Sequence, residues 1–147
     1  MNEKSSANKS SPVSVSKNWL DFAQEDLEVV ELLAEQQSSL YRTICFHAQQ
    51  YVEKILKGIL ESLNQKIPRI HDINVLVEMC SNFGVKIPLT ETEIHFLSSI
   101  YIDVRYPPDV GSLPDGAPLK SDADVAIQSV KKVKKWVDEY AHPSQVD

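Results

Sequence analysis

Side-chain chemistry in this chain has to come from a small set of residues, and the densest group falls between positions 43 and 57. Thr43, His47, Gln50, Lys54 and Lys57 recur at helical spacing, so their tips can meet one ligand. The two ammonium groups are point charges suited to phosphate, and His47 and Gln50 can hydrogen-bond a phosphate or a base. The competing reading is a solvated helix face. Arg105 has the donor geometry to hold a phosphate bidentately, or it forms a structural ion pair with Asp26, a carboxylate that falls within an apolar stripe and needs company there. Tyr106 can stack on a base or pack against the end of the fold. His71 is either a ligand contact or a local packing feature ahead of a helix cap. Lys131, Lys132, Lys134 and Lys135 read as a solvated face, because Asp138 and Glu139 follow directly.

Other chemistries find no support in the sequence. No two of His47, His71, His95 and His142 stand at the i, i+4 spacing of a helical metal motif, so the spacing suggests no metal site. Neither a Gly-rich phosphate loop nor a Ser nucleophile motif occurs, and no cofactor is expected. The net charge of −6 gives no overall attraction for a polyanion, so any nucleic-acid contact must be local. Cys45 and Cys80 both sit in apolar helical patterns and read as buried, reduced thiols. No apolar run reaches membrane-span length and residues 1–15 have no apolar core for a secretory signal, so the expected location is the cytoplasm.

Five helical segments must position these side chains. Ser16 is a candidate N-cap for a first helix to about Gln37, with Trp19, Leu20, Ala23, Leu27, Val30, Leu33 and Ala34 on one stripe. A second helix from about Leu40 to Asn64 carries Ile44, Cys45, Ala48, Val52, Ile55, Leu56, Ile59 and Leu63 on its apolar face. Asp72 caps a third helix through Ile73, Leu76, Val77 and Cys80, ending near Gly84. Thr90 and Glu93 form a capping box for a fourth helix through Ile94, Leu97, Ile100, Tyr101 and Val104. Ser121 caps a fifth, with Val125, Val130, Val133, Trp136, Val137 and Tyr140 inward.

Between the last two helices, residues 105–120 hold four of the chain's 8 prolines and two of its 4 glycines, which predicts a long loop that is a candidate lid or interface. No stretch alternates with a period of two. The expected fold is an all-α, up-and-down antiparallel bundle of four to five helices. It occupies residues 16–141, after a flexible polar tail at 1–15 and before a short tail at 142–147.

Three patterns on this scaffold together resemble the HEPN domain: Trp19 to Asp26-Leu27; His47-Ala-Gln-Gln50-Tyr-Val-Glu53-Lys54-Ile-Leu-Lys57; and Tyr101-Ile-Asp-Val-Arg105-Tyr106-Pro107. The resemblance runs from Ser16 to about Tyr140 and includes the His71-Asp72 pair. It implies a helical bundle, commonly a homodimer, that binds a nucleotide or RNA beside a minimal nucleotidyltransferase partner, as in toxin–antitoxin or nucleotide-sensing pairs. Some relatives are metal-independent ribonuclease toxins, marked by an Arg followed four to six residues later by a His. Here the positions after Arg105 include Val110, Gly111 and Ser112, and that His is absent. RNA cleavage requires groups that trade protons near neutral pH, so the departure favours a binding module over an enzyme. The alternatives are the ribonuclease and a purely structural interaction domain.

Overall fold

The computed structural model describes residues 13–105 and 117–143, with side chains at 13–100 and 117–141. The chain runs β1 (Val13–Val15), α1 (Lys17–Glu35), α2 (Tyr41–Ser62), α3 (Ile73–Ser81), α4 (Glu91–Arg105), α5 (Lys120–Tyr140) and β2 (Ala141–Pro143). It is the all-α bundle that the periodicity predicts. Contacts between α1 and α2 pair falling numbers with rising ones, Ser16 with Gly58, Trp19 with Lys57 and Asp26 with His47, so these two helices are antiparallel.

The centre of the bundle is α2, which touches α1, α3, α4, α5 and β1. Its predicted apolar residues are buried except for Leu63, which is half-buried. Burial goes much further round the helix than the apolar face, taking in Gln49, Tyr51, Glu53, Lys57, Gly58 and Leu60. Between Ile44 and Leu60 only Phe46, His47, Gln50 and Lys54 escape full burial. Between the two ends of the central helix, that narrow opening is where it reaches solvent.

Local signals fix most helix ends. The Asp72 carboxylate accepts the Asn74 N–H at 2.9 Å. Thr90 and Glu93 close their capping box reciprocally, at 2.9 and 3.1 Å. The chain leaves α1, α2 and α3 in the same way: a residue at positive φ (Gln37, Asn64, Gly84) precedes an N–H bonded to the carbonyl five residues back.

Three expectations are corrected. Val13–Val15, placed in the tail by the sequence, pair in parallel with Ala141–Pro143, and Val15 is fully buried against α2. Three-residue strands are too short for alternation to reveal. Ser121 does not cap α5; Leu119 holds the cap position and its N–H donates to the Asp122 carboxylate at 2.8 Å, which reaches back from inside the first turn. The buried row of α5 is Ala123, Ala126, Ser129, Val130 and Val133, leaving Val125 and Tyr140 exposed. Small residues let α5 approach α2 closely, which turns it away from its larger side chains. Residues 1–12 and most of the predicted loop, 106–116, lie outside the described residues. Among the described residues, no helix is long and apolar enough to cross a membrane.

Candidate functional site

The opening on α2 is built round a buried carboxylate of α1. Asp26 accepts from His47 Nδ1 at 2.7 Å and from Lys54 Nζ at 2.6 Å. The Asp26 side chain is 7% exposed, whereas His47 and Lys54 are 29% and 24% exposed. A buried anion thus anchors two surface donors, and its own demand for partners fixes where they point. With Nδ1 turned to Asp26, the opposite ring nitrogen, Nε2, points away from the carboxylate. Lys54 has three N–H donors, of which Asp26 takes one.

Aromatic rings line the same edge. Lys54 Nζ lies 5.9 Å from the Phe22 ring centroid, Lys57 Nζ lies 6.0 Å from the Trp19 ring, and Phe46 meets His47 edge-to-face at 5.2 Å. Trp19 and Phe22 are themselves an edge-to-face pair at 6.4 Å. Phe22 is 56% exposed.

A second polar cluster lies one turn along α2 and is more deeply buried. Glu53 accepts from Gln49 Nε2 at 3.0 Å, Lys57 Nζ at 3.0 Å and His71 Nδ1 at 2.9 Å. Gln49 also donates to the His71 carbonyl, and Gln50 donates to the Gln49 side-chain oxygen at 2.8 Å. This network ties the segment before α3 onto the central helix. No buried side-chain nitrogen or oxygen among the described residues lacks a hydrogen-bond partner.

The sequence-predicted residues therefore fall into separate groups. His47, Gln50 and Lys54 lie together at the opening. Lys57 and His71 both bond Glu53, with Lys57 only 7% exposed, and this places Lys57 below the face that the spacing suggested. The backbone of Arg105 ends α4, while its side chain and all of Tyr106 lie outside the described residues. The Asp26–Arg105 pair is outside them too; the partners that Asp26 has among the described residues are His47 and Lys54. Spacing on one helix could not reveal Phe22, because its place beside Lys54 depends on how α1 packs against α2.

A HEPN domain model matches residues 16–140, most of the chain and every helix of the fold. The chain belongs to the HEPN family. Membership points to a function related to nucleotides or RNA, and HEPN domains often form dimers. No curated protein and no solved structure matches this HEPN chain. Other concavities of the bundle are distinct from the Asp26 site. A groove of about 600 Å³ between α3 and α4 is lined by Asn74, Glu78, Glu91 and His95 among others, and one of about 410 Å³ lies where α1 and α2 meet the start of α5. Among the described residues, no group of three or more His, Cys, Asp or Glu side chains is placed to hold a metal ion.

Proposed function

We propose that this HEPN domain is a nucleotide- or RNA-binding module whose ligand lies across the opening formed by His47, Gln50 and Lys54, with Arg105 contributing from the end of α4. It would act as a homodimer with a nucleotidyltransferase-type partner, in the manner of a toxin–antitoxin or nucleotide-sensing pair. The observation that carries this reading is the fixed pair of surface donors, His47 and Lys54, held by the buried Asp26. A phosphate oxygen can share the Lys54 ammonium with Asp26, since an ammonium donates three times. Lys57 and His71 support the site through Glu53, and Tyr106 is proposed as a further base contact.

The test is titration of labelled adenine nucleotide and of a short single-stranded RNA into wild type and a Lys54→Ala/Arg105→Ala double variant. The reading predicts a loss of affinity of tenfold or more in the variant. Equal binding by both proteins, or none by either, removes the site. RNA cleavage that disappears in His47→Ala would instead favour the ribonuclease reading, for which the His47–Asp26 pair is the motivating observation.

A further inference from the structure

The aromatic edge of the opening has a use that the polar groups alone do not explain. Phe22 is more than half exposed, as is Leu32 further along the same helix, and of the two it is Phe22 that lies beside a lysine held in place from beneath. At about 100° per residue, Phe22, Trp19 and Asp26 share the flank of α1 that meets α2. The exposed acidic residues Asp21, Glu28, Glu31 and Glu35 fall on the opposite flank. Glu31 confirms this by bonding Lys134 of α5 at 3.0 Å. Glu25 borders Phe22 at its outer edge. Although the chain is acidic overall, the surface at Phe22 thus sets aromatic rings beside the Lys54 ammonium, which is paired with Asp26 and has further N–H donors; rings beside an ammonium are the combination by which proteins hold unpaired bases and the phosphate beside them.

We infer that Phe22, paired edge-to-face with Trp19, is a stacking platform for an unpaired base, while Lys54 holds the phosphate next to it. The inference rests on the proposed function and adds the part of the ligand that is recognised. Stacking uses the face of the base and leaves its hydrogen-bonding edge unread, so recognition tolerates any base. The shared chemistry, an aromatic base with a nearby phosphate, is offered by a free nucleotide and by single-stranded RNA.

The test compares binding of labelled oligo(A), an abasic oligonucleotide of equal length and AMP to wild type, Phe22→Leu and Phe22→Tyr. Phe22 is too exposed for either change to endanger folding. Phe22→Leu is expected to weaken oligo(A) binding roughly tenfold, to leave the abasic strand within twofold, and to be rescued by Phe22→Tyr. The same loss with AMP identifies a nucleotide site; a loss confined to oligo(A) identifies RNA. Wild type binding oligo(A) and the abasic strand equally, with both still sensitive to Lys54→Ala, overturns the platform and leaves the proposed function standing. A shift of Phe22→Leu from dimer to monomer in sedimentation, with RNA affinity unchanged, makes the ring an interface between copies and also overturns it.

Discussion

Truncating Lys57 to alanine is expected to damage stability, with little direct effect on ligand contact. The Lys57 and Glu53 side chains are 7% and 5% exposed and meet at 3.0 Å. Removing one member of a buried pair costs about 3–5 kcal/mol, because the other charge stays desolvated without its partner. Gln49 and His71 still bond Glu53, and the His71 side chain is 42% exposed, so the loss should fall near the lower end, about 3 kcal/mol. For a domain of this size that corresponds to a fall in Tm of about 10 °C. Urea unfolding of Lys57→Ala measures it directly. A Lys57→Met/Glu53→Gln double variant keeps the volume and removes both charges, and should return to within about 1 kcal/mol of wild type. A loss below about 1 kcal/mol in Lys57→Ala, accompanied by weakened nucleotide binding, would refute the buried-pair argument and return Lys57 to the ligand face.

Three further outcomes follow from the packing and the ionisable groups. Burial, with a smaller contribution from Asp122, pushes the Cys45 thiol up to about 12, and burial raises Cys80 likewise; both should resist iodoacetamide at pH 8 in native protein and react promptly in denaturant. Burial acts to raise the Glu93 carboxyl, but hydrogen bonds from Lys132 and Thr90 outweigh it and hold the group below its ordinary value. A depressed carboxyl stabilises the fold above its unfolded value, near 4.5, and that contribution fades as pH falls through the lower folded value; Glu93→Gln should therefore show a flatter loss of stability across that acid range in pH-dependent melting. In Gly58→Ala, the new Cβ would stand 2.7 Å from Val15 Cγ1 and 2.9 Å from Trp19 Cβ. The resulting strain exceeds the helix-propensity gain, for a net loss of about 1–2 kcal/mol in urea unfolding.

Much of the fold was legible because its signals are local. Asp72, the Thr90/Glu93 box and Gly84 act within a few residues of themselves, and sequence spacing shows such partners directly. Burial of α2 on nearly every side was not legible. Gln49, Glu53 and Lys57 are polar, and projection assigns polar residues to solvent unless their mutual hydrogen bonds are known. Gln37 at positive φ was equally hidden, since glutamine does not mark that conformation.

The site divides along the same line. That Asp26 needed a partner followed from its place in an apolar stripe; that His47 and Lys54 supply it depends on the packing of α1 against α2. Spacing put His47, Gln50 and Lys54 together; in the structure His47 and Lys54 share Asp26, whereas Gln50 bonds Gln49. Spacing added Lys57 because a helical projection gives direction and not depth, and it missed Phe22 because Lys54, which lies beside that ring, belongs to another helix.

Chemical-shift mapping with a short single-stranded RNA tests the location of the ligand most directly. Binding across the opening predicts the largest shifts at Phe22, His47, Gln50 and Lys54, with resonances of the α3–α4 groove around Asn74 and His95 unmoved. Shifts concentrated in that groove, or absent throughout the protein, would contradict the placement.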